Sequence, residues 1–174
     1  LPCFVKPNRA GSSFGVSKVS KTDQWDDAIA DAFKHDEQVI IEAFIDGTEV
    51  TCGVIEKEGK LISLPLTEIT TENDFFDYEA KYEGKSKEIT PAQLPEAWTE
   101  AAATLSKKIY QKMGLEGVTR SEFIFEDGIP HLLEINTIPG MTLQSLIPQQ
   151  LETAGISLLE FLEELIAETL RKKE

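Results

Sequence analysis

The sequence predicts an α+β fold, antiparallel sheets with flanking helices, and three observations carry that expectation. Residues 117–140, GVTRSEFIFEDGIPHLLEINTIPG, read as two strands joined by a tight turn at Asp127-Gly128 and followed by a Pro-Gly loop. A second pair of strands, TCGVIEKEG and KLISLPL, turns at Glu58-Gly59. Two further stretches, one opening at Pro95 and one near the chain's end, repeat apolar residues at helical spacing.

The first hairpin carries four polar side chains that a buried strand avoids: Arg120, Glu122, Glu134 and Asn136. Alternate residues of a strand share a face, so Arg120 points with Glu122 and Glu134 with Asn136, while Phe123, Phe125, Leu133 and Ile135 point away. Whether the two polar pairs meet depends on register, because a one-residue slip turns every side chain of a strand over. A two-residue Asp-Gly turn would separate them. A three-residue connection through Asp127, Gly128 and Ile129, with the glycine left-handed, sets Glu122 opposite Glu134 and Arg120 opposite Asn136, and that register is the expectation. Two carboxylates and a carboxamide oxygen converging on one point form a hard ligand set, suited to magnesium or manganese rather than zinc. The hairpin by itself also allows solvated carboxylates on an exposed face, with Arg120 in a surface salt bridge.

With 174 residues the chain has room for one good-sized domain or two small lobes. A formal charge of -14, from 31 acidic against 17 basic residues, argues against a nucleic-acid or anionic-membrane partner. Cys3 and Cys52 lack CxxC spacing, so neither a disulfide framework nor a zinc site is indicated and a reducing cytoplasm fits. No apolar run approaches the length of a membrane span, and no signal peptide opens the chain. The opening LPCFVKP lacks a start methionine and reads as a strand already under way, which makes the chain a fragment in expectation.

Taken in order, a short strand at Cys3 to Val5 leads into KPNRAGSSFGVSKV, where Gly11 and Gly15 surround Ser12 and Ser13 between Lys6, Arg9 and Lys18. Such a loop can cradle phosphates through backbone amides, hydroxyls and a point charge, although it matches neither the Walker nor the GxGxxG pattern and equally suits a flexible surface loop. From Thr22 as N-cap, Trp25, Ala28, Ile29, Ala32 and Phe33 recur at helical spacing as core, with His35 facing solvent. EQVIIEAFIDGTEV is an apolar strand interrupted by Glu42, and Glu42 and Glu49 flank its loop as acceptors for an amino group and a ribose hydroxyl, or as solvated glutamates. Residues 70–90 have no clean period and suit a lid, with Lys81 either closing over phosphates or neutralised by Glu79 or Glu83. Pro95 opens a long helix with Trp98, Ala102, Leu105, Ile109 and Met113 on one side and Gly114 as terminator. TLQSLIPQQLETAG reads as a short helix, and Ser157 with Glu160 makes a capping box for the last helix. That helix is expected to bury Leu158, Leu159, Phe161, Leu162, Leu165 and Ile166.

Together VKPNRAGSSFGVSKV, EAFIDGTEV, FFDYEAKY, TRSEF and LLEINTIPGMTLQSLIPQQ resemble the bacterial D-alanine:D-alanine ligases of the ATP-grasp fold, in that family's order and over essentially the whole chain. The resemblance implies two lobes, the first truncated: residues 1–45 as the remainder of the central ATP lobe, and 46–174 as a C-terminal lobe with the metal and acceptor sites. It implies that Lys6 and Lys81 hold ATP phosphates and that Ser13 covers the transferring phosphoryl group. Glu42 would take the adenine amine, Ala43, Phe44 and Ile45 would line the base pocket, and Glu49 would hold the ribose. Glu122, Glu134 and Asn136 would bind two Mg2+ or Mn2+ ions, and Arg120 with the Gly140 amide would form the oxyanion site. Ser145 and Leu146 would bind the second alanine's carboxylate, and Ser12 with Tyr82 would close the lid network. The partners implied are D-alanine and ATP in the cytoplasm, for peptidoglycan synthesis, with a homodimer allowed for the full-length protein. Glu122 departs from the family's usual aspartate and Phe76 from its common tyrosine, while Tyr82 within EAKY favours dipeptide formation over lactate use. The fragment alone is expected to be inactive. The same resemblance leaves open an ATP-grasp ligase with another acceptor, D-serine, D-lactate or another amino acid, and a nucleotide-binding module without turnover.

Overall fold

A computed structural model describes residues 1–71 and 86–171, and the chain forms two compact units. The first comprises Leu1–Asp46 with Thr70–Lys87, and the second Gly47–Ile69 with Glu88–Glu174.

In the first unit, β1 (Cys3–Pro7) is the middle strand of an antiparallel sheet between β2 (Ser17–Val19) and β3 (Val39–Ala43). Alternation along β1 buries Cys3 and Val5, and these pack with Val19 under Ala28 and Ala32 of helix α1 (Trp25–Ala32). The helix starts later than its spacing suggested. Thr22–Gln24 form a 3-10 turn, and Gln24 rather than Thr22 satisfies the entry, its Oε1 accepting from the Ser20 and Lys21 amides at 2.8 and 2.9 Å. Phe33, expected in the core, follows the last helical residue and is exposed.

The second unit is built on a sheet ordered β7-β6-β4-β8-β9, in which β5 also pairs with β4. Its strands are β4 (Thr48–Lys57), β5 (Lys60–Ser63), β6 (Thr67–Thr71), β7 (Ser86–Ile89), β8 (Thr119–Glu126) and β9 (Ile129–Asn136). β4 turns into β5 through left-handed Glu58 and Gly59, as the sequence suggested. Gly47 admits no side chain, because a Cβ there would lie 2.1 Å from the Phe125 carbonyl oxygen.

One face of this sheet lies under α2 (Glu96–Lys112), where Val50, Cys52, Leu66, Ala102, Phe123 and Phe125 form the core and the Trp98 ring stacks on Phe125 at 5.0 Å. Each buried phenylalanine contributes about 1.5–3 kcal/mol by leaving water. Met113, expected on that buried side, lies beyond the last turn and is exposed. A second core joins Ile55 and Leu64 to Ile147 and Leu151 of α3 (Leu146–Thr153) and Phe161 of α4 (Leu158–Arg171). Only a narrow stripe of α4 is covered: Leu159, Leu162 and Ile166 are exposed, contrary to expectation. Half of its capping box forms. Ser157 Oγ accepts from the Glu160 amide at 3.1 Å, whereas the Glu160 carboxylate turns to Lys57 Nζ at 2.7 Å.

The β8–β9 hairpin reaches the expected register by another route. Glu126 pairs with Ile129 across a two-residue turn, Asp127 and Gly128, both left-handed with φ of 50° and 82°. Such a turn alone would set Glu122 one place out. A bulge between Glu122 and Phe123 restores the pairing, because Phe123 faces Leu132 while Glu122 faces Glu134, leaving Leu133 as the extra residue.

Candidate active site

The registers of β4, β8 and β9 lay out two cross-strand rows. Thr51, Glu122 and Glu134 stand side by side, and beside them Gly53, Arg120 and Asn136. Alternation puts all six on the face turned away from Phe123 and Phe125. Three adjacent strands thus gather every polar side chain that the hairpin was expected to bring together.

Glu122 is 2% exposed, and a buried carboxylate must be paired. Its Oε1 accepts from Arg120 Nη1 and, at 3.2 Å, from Asn136 Nδ2. The same Asn136 nitrogen donates to Glu134 Oε1 at 3.1 Å, so two carboxylates converge on one amide. Arg120 Nη1 has a second acceptor in Thr51 Oγ1 at 3.0 Å. The guanidinium is therefore anchored at Nη1. The plainer expectation of a surface salt bridge fails for Glu122, which is buried, while Glu134 is exposed.

This donor set fits a hard divalent cation. Two carboxylate oxygens already meet at one side chain, and rotating the Asn136 amide by half a turn presents Oδ1 in place of Nδ2, making three oxygen ligands. Among the described residues no three His, Cys, Asp or Glu side chains gather to hold a metal, so the amide is needed to complete the set.

Gly140, Ser145 and Leu146 occupy one loop and helix start. Ser145 Oγ accepts from the Thr142 amide at 3.1 Å, and the Ser145 amide donates to the Thr142 carbonyl at 2.8 Å. A Cβ on Gly140 would lie 2.8 Å from Ser145 Oγ, so the glycine permits that close approach. Leu146 is the first residue of α3 and is half-buried. Glu49 lies on β4 opposite Ile69 and Ile124.

The remaining expected residues lie in the first unit. Lys6 Nζ pairs with Glu42 Oε2 at 2.7 Å across β1 and β3, so these two neutralise each other. Ala43 is exposed, Phe44 and Ile45 are half-buried, and Lys18 Nζ sits 4.5 Å from the centre of the Phe44 ring. Ser12 and Ser13 are both left-handed, with φ of 53° and 60°, a conformation that costs a serine roughly 1–2 kcal/mol. Their loop is tied down at its base. Asp36 accepts from the Arg9 amide at 2.7 Å and from Arg9 Nη2 at 2.7 Å, and the Arg9 guanidinium holds its carboxyl far below the ordinary carboxylate range. Gly15 completes the anchor, since a Cβ there would lie 2.6 Å from the His35 ring. Lys81 and Tyr82, like Phe76, lie outside the described residues.

Sequence reasoning missed three residues that hold these groups. Thr51 could have been found from alternation with Glu49 and Gly53. Gln150 had a fainter signal, a polar residue in the buried phase of Ile147 and Leu151. Asp36 had none, because its partner Arg9 is far away in the chain.

Residues 1–167 match the family model described as D-ala D-ala ligase C-terminus. A D-alanine--D-alanine ligase of Flavobacterium johnsoniae is 56% identical over 158 residues, 91% of this chain and 49% of that protein. Among solved structures, the VanG D-Ala:D-Ser ligase of Enterococcus faecalis is 38% identical with a TM-score of 0.85, over 96% of this chain and 49% of that one. The D-alanine--D-alanine ligase of Bacillus anthracis, solved in complex with ATP, is 32% identical with a TM-score of 0.81, over 98% and 53%. The chain thus spans about half the length of the relatives it matches.

Proposed function

This chain belongs to the family of D-Ala–D-Ala ligase C-terminal regions, and from that premise we propose that a protein of the relatives' full length containing it joins two D-alanines at the expense of ATP. The observation that carries the reading is the meeting of Glu122, Glu134, Asn136 and Arg120 on one face of one sheet in a chain of this family. The ATP complex of the Bacillus anthracis relative supports nucleotide binding.

In the proposed reaction a D-alanine carboxylate oxygen attacks the γ-phosphorus and ADP leaves, giving an acyl phosphate. The amine of the second D-alanine attacks the acyl carbon, phosphate departs with the bonding pair, and the amine's proton is lost to solvent as the amide forms. Both steps gather negative charge on oxygen. Arg120 and the Gly140 amide are assigned to the tetrahedral oxyanion, where losing one such donor costs roughly 3–4 kcal/mol of transition-state stabilisation. Lys6, Lys81 and Ser13 are assigned to the phosphates, Glu42, Ala43, Phe44, Ile45 and Glu49 to the nucleoside, Ser145 and Leu146 to the acceptor carboxylate, and Ser12 with Tyr82 to closure. Glu122, Glu134 and Asn136 would hold magnesium or manganese, two ions in the full site, which neutralise phosphate charge when bound. D-Alanine as substrate, a homodimer and a cytoplasmic location, in keeping with two free buried cysteines, belong to the same proposal. The 174 residues by themselves are proposed to bind nucleotide weakly without efficient turnover.

The likeness to the Enterococcus faecalis enzyme favours one second reading, D-serine as the acceptor. Incubating the full-length protein with ATP, Mg2+ and D-alanine, alone or with D-serine or D-lactate, decides by the product formed. D-Alanyl-D-alanine is expected. Phosphate release indifferent to D-alanine would refute the reading.

A further inference from the structure

Among the described residues Arg120 is held by two acceptors of different kinds. Its Nη1 donates to the Glu122 carboxylate and, at 3.0 Å, to Thr51 Oγ1. Thr51 is 0% exposed and carries no charge. A hydroxyl has one hydrogen to give, and Thr51 gives it to the Ser121 carbonyl at 3.2 Å, so a lone pair is what it turns toward the guanidinium. The threonine is itself fixed. It sits on β4 between β6 and β8, opposite Thr67 and Glu122, and its carbonyl accepts from Gln150 Nε2 at 3.1 Å.

Glu122 has a competing duty. Its Oε1 is shared with Asn136 and belongs to the oxygen set that fits a divalent cation, so a cation held there would compete with Arg120 for that carboxylate. Thr51 stands outside that ligand set. We infer that Thr51 is a positioning residue for the proposed reaction, keeping the Arg120 guanidinium aimed once Glu122 is committed to a cation. What Arg120 does chemically rests on the ligase reading; the contact that holds it does not.

The test follows rotation of the Arg120 guanidinium by NMR in the 174-residue chain, with and without Mg2+, in the wild type, Thr51→Val and Thr51→Ser. With Mg2+ present, rotation stays slow in the wild type and in Thr51→Ser and rises roughly tenfold in Thr51→Val, the equivalent of about 1.4 kcal/mol for one charge-assisted hydrogen bond. Without Mg2+ the rise is smaller, because Glu122 still accepts. Equal rotation in Thr51→Val and the wild type overturns the inference. So does free rotation in the wild type on adding Mg2+, a result that needs no variant to fold. In the full-length protein Thr51→Val lowers kcat roughly tenfold at unchanged KM for ATP, and Thr51→Ser restores it; an unchanged kcat overturns the inference. A wild type whose turnover ignores D-alanine refutes the ligase reading instead, and the NMR result still decides the role of Thr51.

Discussion

Replacing Gln150 by alanine should cost the second unit a large share of its stability, because this side chain fills a break in the sheet. β4 pairs with β6 at Glu49, Val50 and Thr51 and with β5 from Val54 onward, so the Gly53 amide falls where one partner strand ends and the next begins. Gln150 Oε1 accepts from that amide at 3.0 Å, and its Nε2 donates to the Thr51 carbonyl and to Thr67 Oγ1, both at 3.1 Å. The side chain is 0% exposed, so no water stands ready to replace it. A buried donor or acceptor left unpaired costs about 1–3 kcal/mol, and Gly53 with Thr51 supplies one of each. Those two groups together cost about 2–6 kcal/mol. The void left by the missing amide and methylenes adds to that, so Gln150→Ala should lose at least roughly 3 kcal/mol out of a typical total of about 5–15. Gln150→Met keeps the volume and loses only the hydrogen bonds, so it should lose about 2–6 kcal/mol and less than Gln150→Ala. Urea denaturation of the three proteins, compared at unchanged m-value, measures both. A loss below about 1 kcal/mol for Gln150→Ala would refute the reasoning.

Gly47→Ala should be among the worst single substitutions, about 3–5 kcal/mol by urea denaturation, because its Cβ would lie 2.1 Å from a backbone oxygen that cannot step aside; a near-neutral result would show that the strand ends move freely. The clamp between α4 and the β4–β5 turn should make thermal stability fall in acid. Lys57 lowers the pKa of Glu160, the Glu58 amide and then Arg171 that of Glu164, and Arg171 that of Glu168. With folded-state values below the unfolded ones, the stabilisation is full above the ordinary glutamate pKa, about 4.3, and is lost as pH falls through the lowered values. Combined Glu160→Gln, Glu164→Gln and Glu168→Gln should flatten the melting temperature against pH below about 5, and an unaltered slope would place the acid sensitivity elsewhere.

How much of this was legible in the sequence varied with the range of the interaction. Alternation in TRSEF and LLEIN showed which side chains share a face, since strand periodicity is local. The meeting of Glu122 with Glu134 was reached through the wrong turn, because the bulge at Leu133 shows only in the pairing with β8 and leaves no mark in composition. Helix spacing found α1, α2 and α4 but overstated their buried faces: Phe33, Met113 and Ile166 keep the period and are exposed. Periodicity says which residues share a stripe and not how wide a neighbour covers it. The supports of the site were least legible, since Gln150 reaches Thr51 across 99 positions and Asp36 reaches Arg9 across 27.

The proposed gathering of Glu122 and Glu134 on one divalent cation is tested, without any turnover, by titration of Mn2+ followed by water-proton relaxation. Wild type, Glu122→Gln, Glu134→Gln and Glu126→Gln, the last at the far end of the same hairpin, should be compared. Each of the first two substitutions should weaken binding at least roughly tenfold, about 1.4 kcal/mol, while Glu126→Gln titrates like the wild type. Four superimposable curves, or a loss confined to Glu126→Gln, would refute a shared cation at Glu122 and Glu134.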